Sequence, residues 1–520
     1  MDSFTLGLVV MIYFLSLAYL GWLGYKKTKS TDDYLVGGRQ MNPIVMSLSY
    51  GATFISASAI VGFGGVAATF GMGIQWLCFL NMAVGVVIAF IFFGRKTRRL
   101  GAKLNASSFP QLLGAYYQSK TVQIFIATVI FVGMPLYAAV VLKGGAVFIE
   151  QVFSVDFHLA LLVFTLIIAA YVIAGGMKGV MYTDALQGII MFVCMLFLLF
   201  WLYKVLGMGF TEANQALTDM APLVPDNLQA LGHRGWTSMP AFNSPQWYVL
   251  VTSLILGVGI GCLAQPQLVV RFMTVSSTKQ LNRGVLIGCL FLIVTVGTIY
   301  HAGALSNVFF FKTEGKIASQ VVPDMDKIIP YFISKAMPNW FSAIFMLCIL
   351  SASMSTLSSQ FHTMGTAAGA DIYTHIAPKK KNKTAITRLG VLVSILISYL
   401  ICYTLSAGII ARGTSIFMGI CASTFLPAYF CALYWKKVTR QGAIASMWVG
   451  SFASIFALLF LHKAEALPIG ICKAIFGTDY LIQAYPWYMI DPILFSFPLT
   501  CLTIWIVSLM TNKKQISIEQ

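Results

Sequence analysis

Ala352-Ser353-Met354-Ser355-Thr356-Leu357-Ser358-Ser359 sits near the middle of an apolar run, 338–374, that is long enough to cross a bilayer. On a helix, Ala352, Ser355, Thr356 and Ser359 stand at i, i+3, i+4 and i+7, so a carbonyl and three hydroxyls share one face. Hydroxyl and carbonyl oxygens are hard, neutral ligands. They suit a small cation that must shed its water, bind moderately and leave again.

The chain around that face has the composition of lipid-embedded helix. It has 520 residues, of which only 10% are charged, and its mean hydropathy is +0.82, which excludes a water-soluble protein. The net charge of +17 does not point to nucleic acid, because Lys and Arg are scattered in short clusters between apolar segments. Ten cysteines lie mostly within those segments, with no disulfide framework or zinc spacing, and they read as small membrane-buried hydrophobes.

The run 3–25 ends at Lys26-Lys27-Thr28-Lys29 and reads as a retained first span, an extra N-terminal transmembrane helix within 1–29. Twelve more follow, at 43–70, 73–94, 121–149, 157–175, 182–206, 246–272, 284–309, 338–374, 389–411, 414–435, 441–462 and 487–511, so the expected count is thirteen. The basic clusters alternate with them. Lys26 to Lys29, Arg95 to Arg99, Lys178, Arg271 with Lys279 and Arg283, Lys379 to Lys381, Lys436-Lys437 with Arg440, and Lys513-Lys514 all fall on one side. By the positive-inside rule this side is the cytoplasm, which puts the N-terminus outside, the C-terminus inside and the chain in the cell (plasma) membrane. The exterior segments 207–245 and 310–337 are long enough to cover an outer vestibule.

The second span holds the other unusual stretch, Leu48-Ser49-Tyr50-Gly51-Ala52-Thr53-Phe54-Ile55-Ser56-Ala57-Ser58, followed by Gly62-Phe63-Gly64-Gly65. Glycines and hydroxyl residues at this density read either as a small-residue packing face or as a broken helix whose unwound carbonyls line a cavity. Set beside the Ala352 face, the broken helix is favoured. Two such helices are how secondary transporters build an ion site near the midplane.

These stretches, with Asp33 to Arg39, Tyr182 to Gly188, Gln265-Pro266-Gln267 and Arg271-Phe272-Met273, resemble the sodium/solute symporter family in order over about 30–460. The family's pantothenate and monocarboxylate branches are nearest, then its proline carriers. The resemblance implies an all-α polytopic LeuT-like core of two inverted five-helix repeats, here 30–206 and 246–436. Two C-terminal transmembrane helices and a short cytoplasmic tail would follow in 437–520. It also implies a sodium (Na+) site made by the backbone carbonyls of Ala52, Ile55 and Ala352 and the hydroxyls of Ser355 and Thr356, three of which the helical spacing had already selected. Position 54 is Phe where the proline carriers have Asp, which weakens the proline reading.

Asp184 precedes an apolar run and reads either as a helix N-cap or, by resemblance, as a second sodium or exit site with Ser358, Ser359 and Ser355. Acids are otherwise scarce within the spans. That favours sodium over protons as the coupling ion, since proton-driven carriers usually need a titratable relay in the membrane. Lys143 lies within a span, where an uncompensated ammonium costs about 2.5–3.5 kcal/mol on insertion scales. It therefore either snorkels to the exterior surface, on the side of Glu150, or acts as counter-ion to an anionic substrate beside Tyr137, whose position matches a substrate-lining tyrosine of the proline carriers. Gln265, before a helix-breaking proline, and Phe63 complete the candidate substrate contacts.

The sequence thus describes a sodium-coupled symporter for a small organic solute, a carboxylate such as a monocarboxylate or pantothenate. Proline or another amino acid is the alternative. A channel would need rings of charge and a continuous polar pore, and an enzyme would need a nucleophile with a base or a metal site; neither constellation occurs. The expected partners are sodium, the solute and the lipid bilayer, and a homodimer is left open.

Overall fold

The computed structural model describes residues 3–376 and 383–511. The lysine runs Lys379 to Lys381 and Lys513-Lys514, read above as cytoplasmic charge, lie outside the described residues. Lipid offers no water to backbone amides, so a spanning chain must satisfy them internally. No strand occurs among the described residues.

The first part of the chain forms α1 (Ser3–Lys27), α2 (Pro43–Phe54), α3 (Phe63–Phe70), α4 (Met72–Lys103), α5 (Lys120–Phe153) and α6 (Phe157–Leu206). The second part forms α7 (Pro245–Ala264), α8 (Pro266–Phe272), α9 (Thr278–Glu314), α10 (Met325–Ala336), α11 (Asn339–Ile376), α12 (Lys383–Thr404) and α13 (Ile410–Tyr434). Helices α14 (Arg440–Phe460) and α15 (Ile493–Met510) close it.

Eleven helices among the described residues are long and apolar enough to cross a membrane, or twelve if the bent pair α2 and α3 is one span. The expected count of thirteen is not reproduced. The difference lies at 157–175, where the apolar stretch Phe157–Ala170 is shorter than the counted spans; non-helical backbone at Gly176, φ 57° and ψ −174°, divides α6 and separates this stretch from the span Gly176–Leu206.

Burial ranks the helices by position. The most apolar window of α11 is 89% buried and that of α1 only 17%, so the hydroxyl-bearing helix is central and the first span peripheral. Helix α11 packs against α5, α6 and α2.

The C-terminal end of α3 is covered from two directions. Within 207–245, the Trp236 indole N–H donates to the Ala68 carbonyl at 2.9 Å and His233 Nε2 meets the Thr69 carbonyl at 3.1 Å. The Met72 amide in turn donates to the Trp236 carbonyl at 2.6 Å. Helix α10 lies on the other side, so close that a Cβ on Gly65 would stand 2.0 Å from the Met325 carbonyl oxygen.

That approach is testable. Gly65→Ala is expected to push α10 off α3 and lower the detergent Tm, at a cost of about 1–3 kcal/mol for an overpacked contact. Gly21→Ala, where a Cβ meets nothing within 4 Å, is expected to leave it unchanged. Thermal unfolding of the purified variants checks both, and equal Tm values would show that the contact yields freely.

Candidate functional site

Helix α2 stops at Phe54 because Ile55 turns extended (φ −95°, ψ 101°), and after residues 56–57 the chain resumes at an angle of 52°. The Ile55 amide donates to Gly51 at 3.0 Å. The carbonyls of Ala52 and Thr53 fall beyond that last bond and need partners from elsewhere. Helix α11 supplies them. Ser355 Oγ donates to the Ala52 carbonyl at 2.8 Å and lies 3.3 Å from the Ala352 carbonyl, while Thr356 Oγ1 donates to the Thr53 carbonyl at 3.0 Å.

Ala52, Ile55, Ala352, Ser355 and Thr356 are all at most 1% exposed. The structure brings Ala52, Ala352 and Ser355 into direct contact, joins Thr356 to the neighbouring Thr53 carbonyl, and sets Ile55 at the break itself. Each hydroxyl has only to rotate its hydrogen aside to offer lone pairs beside the freed carbonyls, which is the donor set of a small hard cation.

Next to this set lies a buried ion pair. Asp184 stands well inside α6 and is 0% exposed, so the N-cap reading fails. Its Oδ2 accepts from Arg271 Nη2 at 2.7 Å, from Ser49 Oγ at 2.9 Å and from Thr53 Oγ1 at 3.2 Å; Ser358 Oγ reaches Oδ1 at 3.3 Å. Arg271 Nη2 also donates to Thr53 Oγ1 at 2.5 Å and Ser359 Oγ at 2.6 Å, Nη1 to the Gln267 carbonyl at 2.5 Å, and Nε to Ser49 Oγ at 3.1 Å.

Arg271 was counted above with the cytoplasmic charges; it is instead fully buried. The oxygens read as a second sodium site already hold a tethered guanidinium. The signal was present in the sequence, since an Arg within the run 246–272 is costly and calls for a buried acid as partner. A buried pair is tolerated only when its remaining donors and acceptors are also satisfied, as they are here.

The substrate candidates divide. Tyr137 is buried, its hydroxyl beside Ser56 at the break and its ring 5.9 Å from that of Phe417. Gln265 forms a second break: it is extended (φ −71°, ψ 115°) between α7 and α8, its side-chain Nε2 donates to the Gly261 carbonyl at 3.4 Å, and its Oε1 accepts from Gln267 Nε2 at 3.2 Å. Phe63 packs instead toward Tyr300, with ring centres 6.2 Å apart.

Lys143 is not brought to the break. Its ammonium donates to the carbonyls of Leu405, at 3.3 Å, and Ser406, and faces Asp326 on α10. Burial pushes the Asp326 carboxyl up to about 6, with Lys143 opposing the shift. Glu150, named above as marking the side to which Lys143 would snorkel, pairs with Lys327 at 3.0 Å. Near the two breaks the buried Ser58 Oγ and Gln267 Oε1 make no hydrogen bond.

The sequence profile of the sodium:solute symporter family matches residues 34–450. The chain belongs to the sodium:solute symporter family. Its relatives include the osmoregulated proline transporter OpuE of Bacillus subtilis (strain 168), to which the symporter is 27% identical over 474 residues, covering 90% of each chain. The sodium/proline symporter of Staphylococcus aureus (strain NCTC 8325 / PS 47) is 26% identical over 490 residues, 92% of this chain and 90% of that one.

Among solved structures, a substrate-bound, outward-open Na+-coupled sialic acid symporter superposes with a TM-score of 0.74 at 17% identity, covering 99% of both chains. The nucleobase-cation-symport-1 transporter Mhp1 in a closed conformation gives 0.51 at 13% identity, covering 93% of this chain and 96% of that one. These likenesses show the LeuT-like fold. Membership of the sodium:solute symporter family makes the protein a transporter and not an enzyme.

For the ion pair the expectation is a strong asymmetry. Asp184→Asn, which strands a buried guanidinium, should lower stability by about 3–5 kcal/mol. The double variant Asp184→Asn with Arg271→Gln should recover part of that loss, because neither charge is then left alone. Detergent thermal unfolding of the two single variants and the double variant measures the coupling, and strict additivity would show that the pair contributes none.

Proposed function

We propose that this protein couples the inward movement of one sodium ion to import of a small solute carrying a carboxylate on an apolar body, by alternating access. The observation that carries the sodium reading is the meeting of freed carbonyls at Ala52 and Thr53 with the hydroxyls of Ser355 and Thr356 in a dry site. One sodium is favoured over two because Arg271 already serves Asp184, Thr53 and Ser359. In this reading Asp184 and Ser358 flank the exit of the ion.

The carboxylate would meet the start of the outer half of the broken helix. There Ser58 Oγ is buried without a hydrogen bond and the positive end of the helix dipole points at the break, with sodium alongside. The aliphatic surroundings and Tyr137 suit the apolar body. Lys143 is engaged at the exterior and takes no part.

A second reading, proline or another amino acid, is favoured by the relatives' transport of proline. Against it, Phe54 offers no carboxylate to a substrate ammonium, and the nearby Asp184 is committed to Arg271. The two breaks, at 55–57 and at Gln265, support reading 30–206 and 246–436 as related repeats. The basic clusters support an exterior N-terminus and a cytoplasmic C-terminus in the cell membrane.

Uptake by proteoliposomes of labelled pyruvate, lactate, acetate, pantothenate and proline under an imposed sodium gradient tests this. Wild type should accumulate one of them with a sodium Hill coefficient of about one, and Thr356→Ala should weaken sodium dependence by about tenfold or more. Uptake driven equally by a proton gradient and indifferent to Thr356 would sink the sodium assignment. A Hill coefficient near two would restore the second ion.

A further inference from the structure

The polar face of α11 continues past Ser359 toward the cytoplasmic end as His362, Thr363 and Thr366, and leads to Asp371. A gap of about 10 Å³, the room of roughly one water, lies along this path, lined by Ser107, Ser108, His362, Thr363, Thr366 and Asp371 among others. It shares Leu35 and Ser107 with a cavity of about 180 Å³ that is lined by Asp32, Gln111 and Thr374. A series of oxygen ligands therefore runs from the buried ion pair to the cytoplasmic face.

Asp371 is the unusual member. It is 0% exposed, and none of the ion pairs among the described residues involves it. Its Oδ1 accepts from Ser108 Oγ at 2.8 Å and from Gln123 Nε2 at 3.1 Å. Its Oδ2 is buried and makes no hydrogen bond, the Gln111 side chain also faces the carboxyl, and the residue lines the gap. A buried carboxylate oxygen without a partner is costly in a medium of low dielectric. A cation removes that cost, and hydroxyl and carboxylate oxygens around a water-sized gap are a hard-ligand set for one that keeps part of its hydration.

We propose that Asp371, with the hydroxyls of Ser108 and Thr366, forms a cytoplasmic release station for the transported monovalent cation, taken to be sodium on the reading above. An ion leaving the Ala52–Ser355 set passes the Asp184 cluster and pauses at Asp371. From there it enters the cavity at Asp32. The carboxylate offsets part of the dehydration on the way out and sets how well internal sodium competes with release.

The test uses sidedness. In oriented proteoliposomes of the full chain, Asp371→Asn keeps an oxygen for Ser108 and Gln123 but removes the charge. It is expected to leave external half-saturation by sodium within about twofold of wild type, and to raise the internal sodium concentration that half-inhibits uptake by about tenfold. Thr366→Val, close in shape but lacking the oxygen, should raise the internal value by about threefold, and it serves if the Asn variant does not fold.

An unmoved internal value, or equal shifts on both sides, would overturn the release station while leaving sodium coupling intact. Wild-type uptake indifferent to sodium on either side would instead bring down the sodium reading itself, and this proposal with it.

Discussion

A membrane interior allows no backbone carbonyl to go without a partner, and the organisation of this protein follows from how that demand is met at one place. Breaking the second span at Ile55 removes the amide donors for Ala52 and Thr53, and the hydroxyls of Ser355 and Thr356 take over. This fixes the register of α11 against α2 and requires α11 to be the central helix. It also makes the joint exchangeable, because a cation can satisfy the same carbonyls when the hydroxyls turn away. A continuous helix would be more stable and could bind nothing.

Thr53 ties this joint to the buried ion pair. Its carbonyl accepts from Thr356, while its hydroxyl lies between Arg271 Nη2 at 2.5 Å and Asp184 Oδ2 at 3.2 Å. A change in how Thr356 is bonded is thus felt one residue away from a pair that joins α6 to α8. The pair itself is expensive to bury, and it persists because Ser49, Thr53, Ser359 and the Gln267 carbonyl complete its hydrogen bonding.

Much of this was legible before any coordinates. The i, i+3, i+4 spacing of Ala352, Ser355 and Thr356 picked out the face that meets the break, and the glycine and hydroxyl content around Gly51 marked the break itself. What escaped was pairing at long range. Arg271 looked like one more cytoplasmic charge because a positive residue near the end of an apolar run usually is one, and only the fold places Asp184 beside it. The partner of Lys143 escaped for the same reason: it is not Glu150 but the carbonyls of Leu405 and Ser406, backbone groups that no side-chain pattern reveals. The boundary between the segments 157–175 and 182–206 was legible too, since the backbone leaves the helical region at Gly176 between them.

The segment 207–245 is more than a connecting loop. Trp236 and His233 bond to the carbonyls of Ala68 and Thr69, and Trp236 receives the Met72 amide, so the segment is spliced onto the C-terminal end of α3. Whatever tilts α3 carries this segment with it. An exposed position such as Leu231 is then a handle, outside the helices, on a helix end that is itself buried.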